Sequence, residues 1–327
     1  MVAITIGLGM LAAFLITLDR CRAEFAASSS VASLQDGARH ALSVLVPEIE
    51  HAGFLGFDAA AIPQLVRDHA VIADAMAMRQ PVASRPTTRV AGLPAGAHDC
   101  GINFAVDVDL PVQMSNNSYP EPADDCAPSA VAGGARAGSD TLTIRHASLD
   151  TAAPRAGRLQ VYSRRVESQG RVSLFADGVA PGPVDRHSEI RDLEVRTYYI
   201  ANNSVGRPGW PALRVKALTE SRGAAQFRDE EVLPGVEDLQ VEFAMIDDDA
   251  AAAGRTWYLA PDPAFMRDRR VVAVRLWLRL RADNTESGYR DIRPVSYADV
   301  SFTPQAAESR QRRMLVVRTV ALRNLRG

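Results

Sequence analysis

Lysine is nearly missing from this chain: Lys216 is the only one, and every other basic residue is an arginine. That reads as a GC-rich coding bias and carries no mechanism. Excess charge is missing too. The formal net charge is −2, which rules out a basic field that recruits nucleic acid and an acidic solvating tail. Aromatic residues make up only 6%, so stacking platforms for bases or sugars are scarce. There are three cysteines, Cys21, Cys100 and Cys126, and no C-x-x-C, which argues against a zinc ribbon or a thioredoxin-type site.

Catalytic signatures are absent as well. The chain has no G-x-x-x-x-G-K-[ST], H-E-x-x-H or G-x-S-x-G. The six histidines, His40, His51, His69, His98, His146 and His187, include no i, i+4 pair. His40 and His51 read as part of a solvated helix face. Asp247-Asp248-Asp249 lacks the alternating spacing and the turn glycine of a calcium loop, so it reads as a solvated turn, as does Asp124-Asp125. No nucleophile has a base beside it. The residues point to no catalytic, cofactor or metal site. Hydrophobic residues at 47% are enough for a folded core.

What is present begins at residue 1. Met1–Leu18 reads MVAITIGLGMLAAFLITL, without one charged side chain. That is close to the length needed to cross a hydrocarbon core. Nothing basic precedes it, as a cleaved secretory signal requires, and it lacks the polar stripe of a buried soluble helix. It reads as a membrane anchor. Asp19, Arg20 and Arg22 follow it, the wrong side for an extracytoplasmic body under the positive-inside rule, so basic residues are expected upstream of Met1. From Ala38 to Gly53 the apolar positions Ala38, Ala41, Leu42, Leu45, Val46, Ile49 and Ala52 follow a helical period. Arg39, His40, Glu48, Glu50 and His51 fall mostly on the other side. Pro47 predicts a kink or a new start, and Gly53 and Gly56 predict the end near Gly56. The division is thus 1–18 transmembrane helix, 19–57 amphipathic continuation and 58–327 β-rich head.

In the head, a short amphipathic piece is expected near Ile62–Met78, then loops with short strands over Val82–Ala137. Strands follow at Thr141–His146, Leu159–Val166, Val172–Phe175, Leu193–Ile200, Leu239–Met245, Val271–Leu280 and Met314–Leu322. Leu193, Val195, Thr197 and Tyr199 share one face, as do Leu239, Val241, Phe243 and Met245. In Val271–Leu280, Val272, Val274, Leu276, Leu278 and Leu280 point inward, and Arg275, Trp277 and Arg279 outward. Such alternation predicts antiparallel sheets packed on one side only. Cys100 and Cys126 flank a loop-like stretch. Paired in an oxidising compartment they would contribute about 3 kcal/mol by loop closure, and two unrelated free thiols are the alternative.

An uncharged helix, an amphipathic continuation and a β-rich head describe the pilin plan, and particular segments go further. MVAITIGLGMLAAF, LQDGARHALSVLVPEIEHAGFLGF, LPGVEDLQVEFAMIDDD, VVAVRLWLRLRADN and RRMLVVRTVALRNLRG together resemble the PilW family of type IV pilus minor pilins. The resemblance implies an α+β, pilin-like fold: a long N-terminal helix, membrane-embedded in its first half, packed on a large antiparallel β-rich head. It places the leader, the cleavage junction and the glutamate after it upstream of Met1. Phe57 stands where the family often has a cysteine, so any disulfide is arranged differently.

By resemblance the function is a non-catalytic minor pilin that helps initiate type IV pilus assembly within a priming or tip complex. The partners so implied are other minor pilins, the major pilin, the assembly platform and, before assembly, the lipid bilayer, with no nucleic acid. The implied place is the inner membrane with a periplasmic head, then the pilus, at its tip. Gly7, Gly9, Ala12 and Ala13 are the helix-packing candidates, being small enough for close approach of neighbouring helices. The alternative in the same structural class is a J-type minor pseudopilin of type II secretion. A membrane-anchored envelope hydrolase or metal enzyme and an adhesin or DNA-binding tip subunit are the readings from other classes.

Overall fold

The computed structural model describes residues 2–56, 108, 110–119, 126–166, 169–247, 256–258 and 269–324. It opens with one helix, α1, over Val2–His51, about 75 Å long at 1.5 Å per residue. Thr5 and Thr17 sit in the apolar half. Their hydroxyls donate to the carbonyls of Val2 and Ala13, so neither needs water. Pro47 lies inside the helix and does not start a new one. It lies on the exposed side of the helix. The helix stops at His51 rather than near Gly56, and Gly53 and Gly56 then take positive φ of 77° and 103°. The chain zips directly onto the head: Gly53 N donates to Arg145 O, and Ala147 N donates to Phe54 O.

The head holds thirteen strands among the described residues. They are β1 (Val112–Ser115), β2 (Thr141–Thr151), β3 (Ala156–Val166), β4 (Gln169–Asp177), β5 (Ser188–Ala201), β6 (Ala212–Ser221), β7 (Ala224–Pro234), β8 (Val236–Asp247), β9 (Thr256–Tyr258), β10 (Arg269–Thr285), β11 (Val295–Tyr297), β12 (Val300–Phe302) and β13 (Gln311–Ala321). All pairings are antiparallel.

Strand β5 organises the larger sheet. One edge carries β2, which in turn carries β1. The other edge is shared: the β3–β4 hairpin pairs with residues 188–192, and the β6–β7 hairpin with residues 196–201. A second sheet has the order β13-β10-β8-β9, and β11–β12 is a separate ribbon.

The main core lies where α1 meets both sheets. Leu34, Ala38, Ala41, Leu45 and Ile49 from the helix pack with Leu142, Ile144, Tyr198 and Ile200 of the first sheet. Leu239, Val241, Phe243, Leu276 and Leu278 complete it from the second. A second core covers the opposite face of β5 with Leu55, Cys126, Leu159, Val161, Leu193, Val195 and Phe227.

The expected α+β arrangement of a long apolar helix on an antiparallel β-rich head is therefore the one observed. One-sided sheets are not. The predicted face of Leu193, Val195, Thr197 and Tyr199 is buried, but so are Tyr198 and Ile200 behind it. Arg279 is likewise not outward to solvent. It is 7% exposed, its guanidinium against Glu237 and Asp238 and stacked 3.6 Å from the Phe302 ring centroid. The β11–β12 ribbon supplies the cover: Tyr297 accepts from Arg279 and donates to Asp238. Arg279, Arg281 and Arg313 converge on Glu237, which is 1% exposed. Burial opposes ionisation of Glu237, but the three guanidiniums outweigh it and hold the carboxyl below its ordinary range.

Strands β6 and β7 were not expected. Both are rich in charge, but the charges pair across the hairpin: Arg214 meets Asp229 at 2.6 Å and Glu231 at 3.4 Å, and Lys216 meets Asp229 at 3.7 Å. Their turn, Arg222–Gly223, has positive φ at both residues, the geometry of a tight hairpin. The expected piece near Ile62–Met78 lies outside the described residues.

Candidate functional site: the helix and its seat

The two halves of α1 have opposite surroundings. From Val2 through Phe25 every side chain is exposed. This half contains an 18-residue stretch long and apolar enough to cross a membrane, none of it buried against the head. A Cβ added at Gly7 or Gly9 would meet nothing within 4 Å, and Ala12 and Ala13 are exposed, so all four candidate packing residues are open to a neighbour. At 100° per residue, Gly9, Ala12 and Ala13 follow the i, i+3, i+4 spacing of one stripe, and Gly7 falls on the far side.

The second half is locked down. Ser30, Leu34, Ala38, Ala41, Leu45 and Ile49 recur every three or four residues and are buried. Each buried leucine or isoleucine contributes about 2 kcal/mol. Between the halves an open groove of about 460 Å³ is lined by Ala27, Ser28, Val31, Ala32, Gln35 and Arg312.

Polar contacts then fix the helix's register on the head. Glu48 accepts from Arg196 Nη1 at 2.8 Å and lies 3.0 Å from His146 Nε2. Arg196 continues to Glu194, Glu194 to Arg158, and Arg158 to Asp192. Lower on the same helix, Asn324 donates to Glu50 O and Arg323 reaches the Glu50 carboxylate at 3.5 Å. The helical period puts Glu48 mostly away from the apolar face. The periodicity marks it as polar but cannot show that an arginine from β5 awaits it. His51, expected in solvent, is half-buried with its ring 5.9 Å from that of His146. His40 is exposed, and His69 and His98 lie outside the described residues.

Cys126 is disulfide-bonded and buried, while Cys21 is free and exposed on α1. Cys100 lies outside the described residues, as do Asp124, Asp125, Asp248 and Asp249; Asp247 ends β8. Among the described residues no three His, Cys, Asp or Glu side chains cluster as metal ligands.

One carboxyl is strongly perturbed. Asp140, 1% exposed, accepts from the backbone N–H groups of Asn117 and Val241, both at 2.8 Å. Burial raises its pKa from 3.8 to about 7 despite these two bonds. It pins the start of β2 to β8, between the sheets, and is a structural joint.

Helix and head together define a class: a β-rich body on a helical spine whose first half is bare and apolar. The family comparison matches part of the chain. Residues 197–324, from within β5 to the end of the described chain, match the family described as Type IV Pilus-assembly protein W. A solved structure similar to this chain is a type IV-like pilin from Thermus thermophilus, 18% identical, covering 57% of this chain and 78% of its own, with a TM-score of 0.28. No curated protein matches.

Proposed function

We propose that this chain is a non-enzymatic minor pilin that helps initiate type IV pilus assembly within a priming or tip complex. One observation carries the reading: a single unbroken helix is anchored by its second half in the core of the head and leaves its first half exposed, with no charged side chain from Val2 to Leu18. Exposed apolar surface on that scale needs a cover. Lipid supplies it before assembly, and the apolar helices of other pilins supply it in a fibre, where van der Waals packing favours small residues. The pilus-assembly family match over 197–324 supports the same reading from the opposite end of the chain.

On this reading the partners are other minor pilins, the major pilin and the assembly platform. The protein resides in the inner membrane with its head in the periplasm and moves to the pilus tip. Deleting the gene is expected to abolish or sharply reduce surface pili and twitching, restored by the intact gene. Normal pili in the deletion strain overturn the proposal. Normal pili with lost protein secretion turn it toward the J-type pseudopilin of type II secretion.

A further inference from the structure

We propose that the open edge of β13 takes up an extended, acidic segment of another polypeptide as an added strand. This rests on the head alone and is independent of the pilus reading.

Strand β13 ends the second sheet and, among the described residues, pairs only with β10. Leu322 N donates to Val272 O, so in this antiparallel register the even-numbered residues of β13 bond to β10. The odd-numbered residues Leu315, Val317 and Thr319 therefore aim their N–H and C=O groups away from the sheet. Among the described residues no backbone group bonds to them.

Edges are ordinarily blunted by shortness, proline, a bulge or charged side chains, and of these β13 has at mid-strand only the charge of Arg318. The strands at two other sheet ends are short: β1 has four residues and β9 has three. Strand β13 has 11, contains no proline, and keeps unbroken register from Arg313 to Ala321. Its outer face is apolar, with Leu315 at 37% and Val317 at 56% exposure. Val317 is paired with Trp277 and Thr319 with Arg275, whose guanidinium stacks 3.7 Å from the Trp257 ring centroid. Alternate side chains of an added strand would extend this surface.

Charge selects the occupant. From Gln311 to Gly327 the chain carries Arg312, Arg313, Arg318, Arg323 and Arg326 and no acidic residue. Arg312 is committed to Glu286, and Arg313 to Glu237 and Glu308. Arg318 is exposed at mid-strand, without an ion pair among the described residues. A second copy's β13 would bring like charge against it, which is unfavourable in paired strands, whereas a strand with carboxylates is favoured.

The test uses the full chain in detergent micelles. The probe is a fluorescein-labelled peptide of alternating valine and threonine with glutamates at both ends. Saturable binding by anisotropy is expected, with new hydrogen-exchange protection at the Leu315, Val317 and Thr319 amides. Val317→Pro removes an outward N–H that the β10 ladder does not use, and it should weaken binding at least about tenfold. Arg318→Glu, or lysines in place of the peptide's glutamates, should also cost about tenfold at low salt. Absence of saturable binding, equal binding of the lysine peptide, or a folded Val317→Pro chain that binds normally overturns the proposal. If Val317→Pro fails to fold, the protection map decides, and protection elsewhere overturns it. Self-association of the wild type that Val317→Pro abolishes also overturns it, in favour of a second copy.

Discussion

Glu48 of α1 and Arg196 of β5 are 148 positions apart in sequence, yet their side chains meet at 2.8 Å at the seam between helix and head. His146 of β2 closes on the other carboxylate oxygen. One side chain thus ties the helix to two strands of the larger sheet. Glu48→Ala should destabilise the head by about 2–3 kcal/mol, below the full cost of breaking a buried pair because Arg196 is partly exposed. Glu48→Gln, which keeps one acceptor, should cost less. Urea unfolding in detergent checks both.

Asp140 should make stability depend on pH with an uncommon sign. Its folded pKa, about 7, lies above the unfolded value of 3.8. Between those limits the folded state holds a proton that the unfolded state has lost. The contribution is therefore fully present below about 4 and is lost as pH rises through about 7, on the order of 1 kcal/mol per pH unit. Carbon-13 NMR of the carboxyl should show a midpoint near 7. A midpoint near 4 refutes the assignment.

Gly56 cannot be replaced cheaply. Its φ is +103°, and an added Cβ would lie 2.3 Å from Ser163 Oγ and 2.5 Å from Glu189 Oε1. Gly56→Ala should cost about 1–3 kcal/mol from backbone strain, plus the displacement of that pair. A melting temperature equal to the wild type contradicts this.

We propose Cys100 as the partner of Cys126. Non-reducing peptide mass spectrometry should show the two linked and Cys21 free, and reduction should cost about 2–5 kcal/mol. A free thiol at Cys100 excludes the pairing.

The chain's local patterns determine a good deal on their own. An uncharged run of apolar residues specifies a helix that belongs in lipid or against other helices. Helical spacing of Ala38, Ala41, Leu45, Ile49 and Ala52 specifies a seated face. Alternation places seven strands, because backbone periods of 3.6 and 2 act over a few residues. Whatever depends on distant partners waits for the tertiary structure. Strands β6 and β7 look too charged until Arg214 finds Asp229, and Arg279 looks like a solvent arginine until the β11–β12 ribbon covers it. Alternation shows which side chains share a face, but not that both faces of β5 are buried. Gly7, Gly9, Ala12 and Ala13 read as one packing set, but the helix turn separates Gly7 from the other three. The opening run of apolar residues is thus, by composition alone, long and apolar enough to cross a membrane. That it forms one continuous helix with a seat locked into the head, Glu48 included, is decided by contacts more than a hundred residues away.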